Sequence, residues 1–270
     1  MVKILNIQIN PVIGNKKDNL QKIESFIAEN SDKNPDLIVL PEFFSTGIDH
    51  NSFINSPEPV NGGDTIKFVS ELAKNFNTNI VAGSVIEKEN NKLYNTTFVI
   101  NRNGNIVDKY RKIHLYNYMG GTEGERITAG DKIVVTDLDF GRIGLGICYD
   151  IRYPLHYKKL AKLGAGIIVL PTAWVVSNEI FEDKAMLKHA QELWIAINKT
   201  RAYDNLVYVV STNQIGKCND KVSCIGNSMI ISPTTEILSN AYNQEGGFLA
   251  DIDIDMVKLY KTIYPICEID

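Results

Sequence analysis

Two nearly identical strings, Leu37-Ile38-Val39-Leu40-Pro41 and Ile167-Ile168-Val169-Leu170-Pro171, constrain this chain more than any other feature. Runs that are apolar at every position suit strands buried on both faces, and such strands belong to sheets covered by helices. Each run stops at a proline, which cannot donate to a sheet ladder. A polar residue follows each time, Glu42 in the first case and Thr172 in the second.

The surrounding order repeats in both halves. Strands are expected over residues 2–10, 36–40, 79–87 and 93–101, and again over 143–148, 166–170, 206–212, 229–232 and 248–254. Leu20, Ile23, Phe26 and Ile27 recur at helical spacing, as do Ile66, Val69, Leu72, Ala73 and Phe76, so helices are expected over 15–29 and 64–76. Two more are expected over 153–163, ended by Gly164, and over 181–203. Alternating strands and helices place the chain in the α/β class. No composition shift or flexible linker divides it, so residues 1–270 are read as one domain. In such folds ligands bind beyond the carboxyl ends of strands. Glu42, Thr172 and Cys148 all follow apolar runs and are expected at one such edge.

Composition removes several classes of function. The 270 residues are 44% hydrophobic, ample for a sizeable core. A formal net charge of −4 argues against a nucleic-acid partner, which needs clustered Lys and Arg. The basic runs 109–112 and 158–159 are interleaved with apolar residues and read as solvated faces. No run approaches the roughly 18 apolar residues of a membrane span. The chain opens on the alternating pattern Val2-Lys3-Ile4-Leu5-Asn6-Ile7 with no secretory leader, so a cytoplasmic location is expected. Its four cysteines, Cys148, Cys218, Cys224 and Cys267, are too few and scattered for a disulfide scaffold. Cys218 and Cys224 have no nearby His pair, so no zinc site is expected there.

Cys148 stands where an apolar run over 141–148 gives way to Tyr149-Asp150-Ile151-Arg152-Tyr153-Pro154, a strand-to-helix corner that can lift a thiol out of a sheet. A thiol with an ordinary pKa of about 8.5 is a weak nucleophile until a base takes its proton. Glu42, if partly buried, has the raised pKa of such a base. Lys112 would then stabilise the charge of a tetrahedral intermediate, with the backbone N–H of Tyr149 as a second donor. Each residue has an ordinary alternative: a core cysteine, a solvated loop acid, a surface lysine. Together they fit attack on a carbonyl or nitrile carbon and hydrolysis of the resulting thioester. His114 is a rival base, as in a Cys-His pair. Two residues from Lys112 along an extended segment, it should face the same side, and a structural role is expected. His50, His156 and His189 have no partners that suggest a metal.

Three motifs in order, Leu40-Pro41-Glu42-Phe43, Tyr110-Arg111-Lys112-Ile113-His114-Leu115 and the long run from Gly144 to Pro154, resemble the nitrilase superfamily, the carbon–nitrogen hydrolases. The resemblance covers nearly the whole chain. It implies a four-layer α-β-β-α sandwich of two mixed sheets that forms a homodimer by stacking sheets across subunits. It also implies a Glu-Lys-Cys triad, here Glu42, Lys112 and Cys148, with no metal and no organic cofactor. A second family glutamate follows the lysine. Glu123 lies at the matching distance from Gly130-Asp131 and takes that role, with Glu125 as the fallback.

Within the superfamily the run from Cys148 to Tyr153 is most similar to the omega-amidase branch, whose members hydrolyse the terminal amide of short dicarboxylate monoamides. Arg152 is then the candidate partner of a substrate carboxylate, unless it pairs within the chain with Asp150 or another acid. Trp174 either lines the pocket or belongs to the core. Two departures touch the substrate rather than the chemistry. Residues 175–188 run longer than in that branch and are expected to form a helix-plus-loop lid, and Asn227 stands where a histidine is expected. An N-carbamoyl-amine hydrolase or a nitrilase on the same triad is the alternative enzyme. An interaction protein that keeps the fold is the alternative outside catalysis.

Overall fold

The computed structural model describes residues 1–48, 50–55, 57–60, 63–118 and 121–265, and the side chains at 50–52 are not among what it describes; Cys267 and the His50 side chain therefore lie outside the described residues. The twin strings become central parallel strands of two different sheets. Leu37–Val39 lies between Val2–Gln8 and Asn79–Val81. Ile167–Pro171 lies between Gly141–Leu145 and Tyr208–Thr212. The first sheet, of eight strands, is extended by Gly246–Ile252 on one side and by Lys92–Ile100, Val85–Glu89, Glu58–Pro59 and Ile106–Arg111 on the other. The second, of six, adds Val135–Leu138 on one side and Met229–Ile231 and Ile237–Asn240 on the other. Both sheets mix parallel and antiparallel pairs.

Side-chain alternation builds the layers. Val2 and Ile4 join Leu37, Val39, Ile143, Leu145, Ile167, Val169 and Val210 in one apolar cluster fed by both sheets. Leu5, Ile7 and Ile9 face the other way, against Ile23 and Ile27 of the helix Lys16–Ala28 and Ile66, Val69 and Leu72 of the helix Gly63–Asn75. Outside the second sheet, Ile168, Leu170 and Val209 pack on Leu160 of the helix Pro154–Lys162 and on Trp194 and Ala202 of the helix Lys184–Asn205. Helix, sheet, sheet, helix is the sandwich that the motifs imply. No described helix is long and apolar enough to cross a membrane.

Three elements differ from expectation. The strand expected over 79–87 is two, Asn79–Val81 and Val85–Glu89. They break at Gly83, whose φ of +41° and lack of a Cβ let it approach Pro41 O; an added Cβ would lie 2.1 Å from that oxygen. The helix expected over 181–203 is also two, Asn178–Glu182 and Lys184–Asn205. Asp183 caps the second by accepting from the N–H groups of Ala185 at 2.9 Å and Met186 at 3.0 Å. The stretch expected as a lid starts instead as the strand Val175–Ser177, paired with Val222–Ile225 in a third sheet that Ile215–Lys217 completes. Strands of three or four residues carry too little periodicity to be read from a sequence.

Candidate active site

Period-two alternation along Ile106–Arg111 sorts the basic run 109–112 into two sets. Lys109 and Arg111 go to Glu87, Arg111 at 2.8 Å, while Tyr110 is fully buried on the other face. Lys112 lies just past the strand, yet its N–H still donates to Asn95 O at 2.9 Å, and its side chain continues the inward series with 2% exposure. The run is thus a solvated face only at alternate positions. His114 does not share the side of Lys112, because the extended segment ends at Arg111. Its Nδ1 lies 2.7 Å from Asp150 Oδ1, and its ring stacks 3.5 Å from the Tyr153 ring.

The buried Lys112 ammonium meets two carboxylates, Glu42 Oε1 at 3.1 Å and Glu123 Oε2 at 2.8 Å. The two acids are tied together on their other side. Asn95 Nδ2 donates to Glu42 Oε1 at 2.8 Å and to Glu123 Oε1 at 3.0 Å. Glu42 Oε2 accepts from Ala173 N–H at 2.8 Å, and its carbonyl accepts from Gln214 Nε2 at 2.6 Å. Glu123 Oε2 also takes Tyr116 N–H at 2.8 Å. The loop that carries Glu123 closes onto the strand end at Gly130, where a Cβ would sit 2.3 Å from Arg111 O. Glu125, the fallback, is exposed. Neither Asn95 nor Gln214 is legible in the sequence as a site residue, since each is an ordinary amide until the fold sets it beside Glu42.

Cys148 opens a five-residue 3-10 turn, Cys148–Arg152, with φ of +46°. A non-glycine residue there is uncommon and held by its surroundings. Asp150 is what holds it. Fully buried, it accepts from Ile147 N–H at 2.8 Å, His114 N–H at 3.0 Å and Tyr110 OH at 2.7 Å, so one carboxylate fastens the strand of Lys112 to the corner of Cys148. The sulfur lies near enough to Glu42 and Lys112 for both to act on its charge.

The electrostatics follow from burial. Burial pushes Glu42 above its ordinary carboxylate value; Lys112 opposes this and Glu123 adds to it. Burial and the Glu42 charge push the Cys148 thiol well up, against the pull of Lys112. Burial works against the Lys112 ammonium, but Glu123, Glu42 and Cys148 outweigh it and hold its proton well above the usual lysine range. At neutral pH the site therefore holds a cation and a protonated thiol near a carboxyl group whose pKa is raised.

The remaining residues divide. Arg152 is exposed, makes no ion pair with Asp150, and lies 5.2 Å over the Trp174 ring. Trp174 is half-buried and packs on Trp194 at 4.9 Å, so it is both core edge and seat for Arg152. Tyr149 lies among Tyr116, Tyr118 and Tyr153 at ring separations of 5.3, 6.1 and 6.0 Å. Thr172 does not offer its hydroxyl to a ligand, because it is fully buried and donates to Leu170 O at 3.0 Å. Its neighbour Ala173 contributes a backbone N–H instead. Asn227, in place of the expected histidine, sits at φ +55°, a region asparagine tolerates well.

Comparison with known proteins gives the arrangement its context. The profile of the carbon-nitrogen hydrolase family matches residues 6–262. An omega-amidase of Saccharomyces cerevisiae is 27% identical over 98% of this chain and 91% of its own length. A probable nitrilase of Schizosaccharomyces pombe is 31% identical over 97% and 93%. Among solved structures, a Saccharomyces cerevisiae member of branch 10 of the nitrilase superfamily superposes with a TM-score of 0.85 at 26% identity, covering 98% of this chain and 94% of that one. The chain belongs to the carbon-nitrogen hydrolase family and is a hydrolytic enzyme of that kind.

Proposed function

We propose that this protein hydrolyses the terminal amide of a small carboxylate-bearing compound through a thioester on Cys148. One observation carries the reading: Lys112 is buried between Glu42 and Glu123 at 3.1 and 2.8 Å, and Glu42 and Lys112 both act electrostatically on the Cys148 thiol. The Cys148 sulfur attacks the amide carbon as Glu42 takes its proton. Negative charge develops on the carbonyl oxygen, where the Lys112 ammonium stabilises it. Collapse expels the nitrogen, which receives the proton from Glu42 and leaves as ammonia. Glu42 then takes a proton from water, the hydroxide attacks the thioester, and the acid departs with Cys148 restored as a thiol. Glu123 holds Lys112 in place and positions the substrate nitrogen.

Arg152 supplies the carboxylate preference in this reading. Among the described residues no acid lies within ion-pair distance of it, and the Trp174 ring lies beneath its guanidinium. The omega-amidases of Saccharomyces cerevisiae and Homo sapiens, 27% and 29% identical, are relatives whose names carry the same activity. A homodimer accompanies the proposal as an expectation of the family resemblance, and a cytoplasmic setting as a further expectation.

Ammonia release from a panel of short dicarboxylate monoamides and their neutral analogues tests it. Cys148→Ala should lower kcat by about 10⁴-fold or more. Arg152→Met should raise KM for the carboxylate-bearing amides by roughly 10-fold or more, the worth of a lost charged hydrogen bond, and leave neutral amides unchanged. Carbon dioxide among the products would mark a carbamoyl substrate, and turnover of a nitrile would mark a nitrilase. Undiminished ammonia release by Cys148→Ala would refute the mechanism.

A further inference from the structure

Two cysteines that the hydrolysis does not use lie closer together than unrelated side chains do. Cys218 Sγ and Cys224 Sγ are 3.1 Å apart, both buried, in the hairpin that joins Ile215–Lys217 to Val222–Ile225. That is about 1 Å longer than a disulfide bond of ~2.05 Å. The backbone already brings the chains together, since Cys218 N–H donates to Val222 O at 3.0 Å. Between them runs the exposed turn Asn219-Asp220-Lys221, next in sequence to Cys218.

The pair also touches the seat of Glu42. Cys218 and Cys224 share an apolar cluster with Phe43 and Ala173, the residue after Glu42 and the one whose N–H binds the Glu42 carboxylate. Cys224 stands opposite Val175 in the third sheet, and the next residue, Ile225, donates its N–H to Trp174 O at 3.2 Å. A movement of Cys224 toward Cys218 would therefore reach both Ala173 and the wall formed by Trp174.

We propose that Cys218 and Cys224 form a thiol–disulfide couple that a hydroperoxide closes and a dithiol reopens, and that closing it lowers activity by disturbing the seat of Glu42. The Cys218 thiolate attacks the hydroperoxide; the O–O bond breaks, an alcohol or water leaves, and Cys218 becomes a sulfenic acid. Cys224 sulfur then attacks Cys218 sulfur, the S–S bond forms, the S–O bond breaks, and water leaves with the Cys224 proton. Two thiols lose two electrons and the hydroperoxide gains them. The three thiols differ in the required sense: the hydrogen bond from Cys224 favours the Cys218 thiolate, whereas burial pushes Cys224 and Cys148 up. Attack starts on a thiolate, so Cys218 reacts first.

The full chain treated with equimolar hydrogen peroxide, then digested without reductant and mapped by mass spectrometry, tests this. The expected product is one internal cross-link between the peptides of Cys218 and Cys224, two hydrogens lighter, with Cys148 still alkylatable. Ammonia release should fall on oxidation and return with dithiothreitol, and Cys218→Ser should lose both the cross-link and the peroxide sensitivity. Cys224→Ser gives the same readout should Cys218→Ser fail to fold. Absence of the cross-link, a cross-link to Cys148, or a cross-link that leaves turnover untouched would overturn the proposal. The activity arm rests on the amidase reading, but the peptide map does not, so the two fail separately.

Discussion

At the scale of the residue, the site rests on three ionisable groups whose charges are unequal in number. A buried acid, Glu42, and a partly buried one, Glu123, surround one ammonium, and a like charge nearby raises a neighbour's pKa. Glu42 is lifted above its ordinary 4.5 first by burial and also by Glu123, while Lys112 pulls it down. Glu42 must be ionised to take the thiol proton, so kcat/KM rises with pH as Glu42 loses its own proton, and the acid limb of the profile lies above 4.5. Glu123→Gln deletes a raising charge and leaves Lys112, so the limb should move to lower pH while kcat falls, because Glu42 becomes a weaker base. A pH profile of kcat/KM for wild type and variant reads this directly; a limb displaced upward would sink the assignment of Glu42 as base. Glu42, Lys112 and Cys148 were legible as candidates because each ends an apolar or alternating run. Asn95 was not, because Tyr94-Asn95-Thr96 reads as plain strand. Its value appears only when the fold sets one amide nitrogen between two acids.

At the scale of the element, the chain spends glycine and a buried carboxylate to hold two corners. Gly83 separates two strands and lets Pro41 O come within what would be 2.1 Å of a Cβ. Gly83→Ala must both adopt positive φ and push the segment before Glu42, so it should destabilise by about 2 kcal/mol or more and depress kcat at temperatures where it remains folded. Thermal unfolding and kinetics on the same sample separate the two effects. The merged strand expected over 79–87 shows why this corner escapes the sequence: residues 79–82 and 85–87 are compatible with one run, and a single glycine does not announce a break. Asp150 is the other corner. Burial alone would raise its pKa, but hydrogen bonds from His114, Ile147 and Tyr110, with the His156 charge, hold it below the ordinary 3.8. A carboxylate with a depressed folded pKa adds stability that is complete above its unfolded value and vanishes as pH falls through the folded one. Wild type should therefore lose this increment as pH drops from 3.8 downward. Asp150→Asn, which leaves buried donors unmatched, should cost about 3 kcal/mol at neutral pH and show a shallower acid decline in urea unfolding. Equal slopes for the two proteins would remove Asp150 from the account.

At the scale of the whole molecule, the site lies between two sheets, and no single layer contains it. Glu42 follows the strand Leu37–Val39, and Lys112 follows Ile106–Arg111, both in the first sheet. Cys148 and Ala173 follow Gly141–Leu145 and Ile167–Pro171 in the second. The twin apolar strings made this layering legible, because they mark the central strand of each sheet. The polar fastening between the sheets was hidden, since it uses residues that alternation alone would place in an apolar interior. Asn6 faces inward beside Ile4, yet its side chain donates to Ser211 O at 3.3 Å and Met229 O at 3.1 Å and accepts from Thr212 OH at 2.7 Å. The same Thr212 gives its carbonyl to Thr172 N–H at 2.8 Å, one residue before the Ala173 that binds Glu42. Asn6→Leu keeps the number of side-chain heavy atoms, so it opens no cavity, but it removes the hydrogen bonds to Ser211 O, Met229 O and the Thr212 hydroxyl. The cost should be about 2–4 kcal/mol, read as a lower urea midpoint at unchanged slope because the surface exposed on unfolding hardly changes. An unchanged midpoint would mean that apolar packing alone aligns the two halves of the site.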